Sequence, residues 1–319
     1  MKRIYPLSDK REAVYKFQNE LPYLLGLNFY GYTTWLQTNS ERLYDHIHEN
    51  YSFFVEKTSA KPQSLFVVLD DKASDISDYF QKLFPLRKFT GSLIIADELD
   101  LIFVISTYSN LAYAFACMMF QSMVLHLSKD YFNVHAAALV KGDTGFLFPG
   151  SQHCGKTTLT LELIKRGYKL LSDDLAIINR ETLEVMPFPR ALNIREKTLP
   201  LLSGFEKYIV SKREFEIADE KRWFLDLKEF AGSPFVPNII VFPQLAPAET
   251  AALEPFSKTL AVLELIRQSM APYLPGLPQP DDVSNFEVGA RLVQQASTYR
   301  LMVGTIEETV DLLLDGGIL

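Results

Sequence analysis

Lys156, Thr157, Asp173 and Asp174 are the residues of this sequence whose types and spacing suit phosphoryl chemistry. The first two close Gly150-Ser151-Gln152-His153-Cys154-Gly155-Lys156-Thr157, which fits the phosphate-loop pattern G-x-x-x-x-G-K-[ST]. Gly150 and Gly155 let the backbone wrap a phosphate with its N–H groups. The helix that follows adds partial positive charge at its N-terminus, and Thr158 extends the nucleotide-binding run into it. Lys156 can reach the β- and γ-phosphates, and the Thr157 hydroxyl can ligate Mg²⁺. Two adjacent carboxylates at a strand tip near such a loop serve a metal ion and a general base. Their mutual repulsion favours a shared cation or one raised pKa. A coupled pair can exchange roles, so the order of metal partner and base between Asp173 and Asp174 stays open.

The flanks decide whether the pattern is more than a glycine turn. Gly145-Phe146-Leu147-Phe148-Pro149 reads as a buried strand. Thr157 to Arg166 reads as a helix with Leu159, Leu163 and Ile164 on one face, ended by Gly167. Tyr168 to Asp174 is an apolar run ending in the two acids, and Leu175-Ala176-Ile177-Ile178 is a second run. One helix alone separates loop and acids. His135 opens a further strand through Val140, a position where a histidine serves either packing or catalysis. Arg190 and Arg195 lie among prolines in an irregular stretch and are candidate clamps for phosphoryl charge, or surface ion pairs.

The set His135, Gly150 to Thr157, Lys165-Arg166-Gly167-Tyr168 and Ser172-Asp173-Asp174 resembles the catalytic core of HPr kinase/phosphorylase. It resembles in particular the HPr-kinase-related branch found beside peptide-modification genes, which includes kinases of lasso-peptide precursors. That family shares its core fold with phosphoenolpyruvate carboxykinase. The resemblance covers residues 133–195. It implies an α/β P-loop kinase core using ATP and Mg²⁺ and acting on a hydroxyl, usually a serine, of a peptide or protein. It also implies Lys156 as the phosphate-binding lysine, Thr157 as the metal-ligating hydroxyl, Asp174 as proton acceptor beside Asp173, and His135 as an active-site histidine. The chain departs from the pattern at Gln152, His153 and Cys154, where the family has small residues. It also lacks the later Glu-Arg-Gly segment used in phosphorolysis; residues 187–195 stand there instead. Kinase activity is therefore the expectation, without the phosphorylase reaction and without HPr as substrate. A small-molecule kinase of the same fold and a non-catalytic ATP-binding module remain alternatives. A homo-oligomer is left open.

Around this core the 319 residues suggest an N-terminal mixed α/β segment, residues 1–129, and a nucleotide-binding domain, residues 130–319. The net charge of −7 argues against a nucleic-acid partner. Two cysteines, Cys117 and Cys154, suggest no disulfide framework and fit a reducing cytoplasm. No apolar signal core follows the first residues. Leu111 to Leu127 is nearly all apolar but short for a membrane span, and it reads as a core helix.

In the first segment, Ser40 to Phe54 reads as a helix capped by Ser40, and 65–69, 93–96 and 101–105 read as strands, the last two joined by a turn. His46 and His48 fall on different faces and are expected to be solvated. In the second, 223–227 and 238–242 read as strands that extend the sheet. Ser257 to Met270 reads as a helix, the proline-rich 272–282 as a connector and 299–303 as a strand. Thr305 and Glu308 form a capping box for a last helix.

Overall fold

The computed structural model describes residues 2–57, 61–85, 91–105, 111–152, 154–210, 215–217, 220–245, 250–271 and 282–315. The chain is mixed α/β and forms two compact units. Unit 1 comprises Met1–Met123 and Ser211–Phe224; unit 2 comprises Val124–Val210 and Leu225–Leu319.

Unit 1 contains the strands β1 (Lys2–Pro6), β2 (Tyr23–Phe29), β3 (Tyr32–Thr38), β4 (Val55–Glu56), β5 (Ser64–Leu69), β6 (Ser92–Ala96) and β7 (Leu101–Ile105). They form one sheet in the order β1-β7-β6-β5-β3-β2-β4, parallel at β3–β5 and antiparallel elsewhere. Helices α1 (Arg11–Phe17) and α3 (Ser77–Leu83) supply Val14, Phe80 and Leu83 to a core with Leu65, Val67, Leu93, Ile95, Ile102 and Val104. These alternate strand positions share one face, and the intervening Phe66, Val68 and Ile94 are buried on the other. Helix α2 (Glu41–Asn50) begins where Ser40 accepts the Leu43 N–H, which satisfies one of the unpaired donors of its first turn.

The apolar run 111–127 forms helix α4 (Leu111–Leu127). Its Phe115 ring meets Phe66 on the sheet at 5.3 Å. Among the described residues no helix is long and apolar enough to cross a membrane. The expectation for His46 needs correction. Its ring lies 4.9 Å from Phe215 and 4.8 Å from Phe224, and burial, then Arg42, push its pKa down to about 4. An uncharged imidazole fits that aromatic surround.

Unit 2 begins with β8 (Tyr131–Val134), β9 (Ala136–Lys141) and β10 (Thr144–Pro149), then α5 (Lys156–Lys165), β11 (Lys169–Ser172), β12 (Ala176–Asn179), β13 (Val185–Met186) and β14 (Leu192–Arg195). Between β14 and the remaining strands of unit 2 the chain makes the short hairpin β15 (Phe215–Ile217) and β16 (Glu220–Leu225), which apart from Leu225 belongs to unit 1. β16 therefore pairs with β15 and does not extend the sheet of the glycine loop, as the 223–227 run had suggested. The last elements are β17 (Ile239–Leu245), β18 (Ala252–Pro255), α6 (Lys258–Arg267), α7 (Asp282–Gln295), β19 (Ser297–Val303) and α8 (Ile306–Asp315). The connector expected over 272–282 lies outside the described residues except Asp282, which opens α7.

Six strands of unit 2 form a sheet in the order β11-β9-β10-β17-β19-β18, with β10, β17 and β19 parallel. In β10, Phe146 and Phe148 face a core with Leu159 and Leu163 of α5 and Val310 and Leu313 of α8. Leu147 faces the other way, into a core with Ala261 and Leu265 of α6 and Val288 and Leu292 of α7. Helices thus cover both faces, which is why these strands read as continuous apolar runs. A smaller sheet, β13-β12-β8, carries the chain away from the acids.

Candidate functional site

The glycine loop leaves the end of β10, which pairs in parallel with β17, the central strand of the three parallel ones. A Cβ on Gly150 would lie 2.8 Å from the Cys154 Sγ and 3.5 Å from Pro243 of β17, so no side chain fits there. Gly155 has φ +93°, the left-handed region that a residue with a Cβ avoids, and Val303 of β19 lies beside it. The loop therefore rests on the carboxyl ends of β10, β17 and β19, where open α/β sheets take ligands.

Lys156 holds this bend in shape. Its Nζ donates to the Gly150 and Ser151 carbonyls, each at 2.8 Å, and lies 3.8 Å from Cys154 Sγ. The Gly150 N–H in turn donates to the His135 carbonyl at 3.2 Å, and the His135 N–H donates to the Gln268 carbonyl at 2.8 Å. Ser151 and Gln152 are exposed, while Cys154 is buried and points its thiol beneath the loop. His153 lies outside the described residues. Thr158 is half-buried on the first turn of α5.

The two acids follow β11, which pairs antiparallel with β9. Ser172 shapes the turn: its Oγ accepts the Leu175 N–H at 2.9 Å. Thr157 Oγ1 donates to Asp173 Oδ2 at 2.9 Å. Asp173 is buried, and its Oδ1 has no hydrogen-bond partner within normal distance among the described residues. Burial, then the charge on Asp174, push Asp173 up to about 7, against the pull of Thr157, Thr160 and Lys156. Asp174 is half-exposed and is ion-paired with Arg190. Burial works to raise its pKa, but Arg190, with His135 and Lys156, outweighs burial and holds it below the usual carboxylate value. The His135 imidazole is pushed down by burial, Lys156 and Arg190, against the pull of Asp174.

One pair of neighbours is thus divided into a buried acid near neutrality beside a hydroxyl, and an ionised acid open to solvent. His135, Gly150, Ser151, Cys154, Gly155, Lys156, Thr157, Asp173, Asp174 and Arg190 are gathered around one loop. Of the two candidate clamps, Arg190 is the one bonded to Asp174; Arg195 stands half-buried at the end of β14.

Protein-family models include none that matches this chain, and the curated proteins likewise contain no match.

Two contributors were not singled out in the sequence. Thr160, one turn after Thr157, is buried near Asp173 and lowers its pKa. Its three-residue spacing from Thr157 was the available signal. Gln268, whose carbonyl fixes His135, left no signal, because a backbone acceptor has no residue type.

Among the described residues no group of three or more His, Cys, Asp or Glu side chains is placed to hold a metal ion unaided. Mg²⁺ at a phosphate loop takes much of its coordination from phosphate and water. Thr157 Oγ1 and Asp173 Oδ1 are hard oxygens that could hold such an ion.

Proposed function

We propose that this protein is an ATP-dependent phosphotransferase with a P-loop kinase core of the HPr kinase/phosphoenolpyruvate carboxykinase type. Its acceptor is a hydroxyl, by preference a serine of a peptide or protein. The observation that carries this reading is the Lys156 ammonium bridging the Gly150 and Ser151 carbonyls at the head of α5, with Thr157 bonded to Asp173. That is a phosphate seat with a metal-side acid next to it.

In the proposed reaction the backbone N–H groups of the loop, the α5 N-terminus and Lys156 bind the β- and γ-phosphate oxygens. Mg²⁺, held through Thr157 and Asp173, would neutralise charge on the same oxygens. The half-exposed, ionised Asp174 faces the acceptor. The bond between the γ-phosphorus and the β,γ-bridging oxygen breaks, and the acceptor oxygen bonds to phosphorus. The acceptor proton passes to Asp174, and ADP leaves. Asp174 is ionised in the resting protein, the protonation state from which a carboxylate accepts a proton.

The test is calorimetric binding of MgATP, followed by transfer of label from γ-labelled ATP to serine-containing peptides. Lys156→Ala is expected to abolish binding and transfer. Asp174→Asn is expected to retain binding and to lose transfer by about a hundredfold or more. A parent protein that does not bind MgATP, or an Asp174→Asn protein that transfers at the parental rate, overturns the proposal.

A further inference from the structure

The Arg190–Asp174 ion pair sits at the acid that, in the reading above, an acceptor must reach. Arg190 is held there by the backbone. The Phe188 N–H donates to the Leu171 carbonyl of β11, which anchors Pro187-Phe188-Pro189 beside the acids. Two residues later the Arg190 guanidinium meets Asp174. Asp174 adjoins Asp173, which accepts from Thr157 next to Lys156, so the ion pair stands beside the head of α5. Arg190 is mostly covered, at 19% side-chain exposure, and its partner is open, at 39%. A covered guanidinium bonded to an open carboxylate is a contact that an incoming, more highly charged anion can take over. Guanidinium binds phosphate oxygens in a two-pronged fashion that suits such an exchange.

We propose that Arg190 discriminates triphosphate from diphosphate: it leaves Asp174 for the γ-phosphate of the bound nucleotide, and in leaving exposes Asp174 to the acceptor hydroxyl. This rests on the nucleotide-binding reading above and adds an order to it. Before a triphosphate is seated, Asp174 is engaged and cannot receive an acceptor proton. Afterwards the same guanidinium neutralises the transferring group while the carboxylate is uncovered. ADP, lacking the third phosphate, leaves the pair intact.

The experiment compares MgADP with the magnesium complex of a non-hydrolysable ATP analogue carrying a β,γ-imido bridge, by titration calorimetry on the full chain. Arg190→Ala is expected to weaken the triphosphate analogue about ten- to hundredfold, the size of a lost charge-assisted hydrogen bond, and ADP less than about threefold. Arg190→Lys keeps the charge without the planar fork and is expected to fall between parent and Arg190→Ala. Asp174→Asn removes the carboxylate that competes for the arginine and is expected to tighten the analogue selectively, a gain that disappears when combined with Arg190→Ala. Equal weakening of both nucleotides by Arg190→Ala, or an Asp174→Asn gain that survives without Arg190, overturns the inference while leaving the phosphate seat intact. A parent that binds neither nucleotide removes the seat itself, and the inference with it.

Discussion

Replacing Asp173 by asparagine is predicted to stabilise the nucleotide-free protein in a pH-dependent way while impairing its chemistry. Burial and the neighbouring charge move this carboxyl from 3.8 to about 7 in the folded chain. The unfolded chain releases the proton near the lower value. The folded state therefore binds more protons throughout that interval, and stability from this group is fully present below the lower pKa and lost as pH rises through the upper one. The change is about a thousandfold in proton affinity, or about 4 kcal/mol as an upper bound. Asparagine cannot ionise, and its side-chain oxygen still accepts from Thr157, so it escapes the loss. The variant and the parent should match at about pH 4, diverge with rising pH, and differ by up to about 4 kcal/mol above about pH 8. The assay is urea unfolding in EDTA, read by hydrogen exchange in peptides covering β9 and β11. Tryptophan emission is unsuitable, because Trp35 and Trp223 both belong to unit 1. A stability gain that stays flat from acid to alkaline pH, or a variant weaker than the parent at about pH 8, refutes the reasoning.

Three further outcomes can be checked. Thr160→Val keeps shape but removes a hydroxyl that lowers the Asp173 pKa; the Mg²⁺ concentration needed for half-maximal transfer should rise about three- to tenfold, with acceptor KM unchanged. Gly155→Ala places a side chain at φ +93°; it should cost about 1–2 kcal/mol by thermal melting and weaken MgATP binding, whereas Gly142→Ala, also at positive φ but away from the loop, should cost stability alone. Thr305→Ala breaks the reciprocal cap in which Thr305 Oγ1 accepts from the Glu308 N–H at 3.3 Å and Glu308 Oε2 from the Thr305 N–H at 3.2 Å; calorimetry should show a loss of about 1 kcal/mol with transfer kinetics unaffected.

The parts of this protein that were legible in the sequence are those set by near neighbours. The strand before the loop, the helix after it, Gly167 at φ +88° and the capping box at Thr305 follow from local pattern and form as expected. The β6–β7 hairpin and the Ser40 cap do as well. What escaped depends on partners distant in sequence. Tyr30 and Gly31 turn the β2–β3 hairpin with φ of 53° and 94°, and a tyrosine carries no turn signal. Helix α7 contains Gly289, which reads as a breaker. In the fold a Cβ there would lie 3.3 Å from Ile266 of α6, so the glycine permits close helix packing. His46 looked solvated because its aromatic neighbours come from the far end of unit 1's sequence. At the site, the residue types were readable, but the division of labour between the acids was not. It comes from Arg190 reaching one and burial claiming the other.

The Thr157–Asp173 bond and the Asp174–Arg190 bond each close a span of 16 residues. Closing such a span costs little chain entropy, and contacts of that range form early compared with pairings between remote strands. During synthesis Lys156, Thr157, Asp173, Asp174 and Arg190 have emerged before β17 and β19, which border the loop, whereas Gln268, whose carbonyl takes the His135 N–H, follows β17. The pairings of β17 with β10 and β19 are the long-range contacts of this half of the molecule, the class of contact that forms more slowly than the local bonds of the bend.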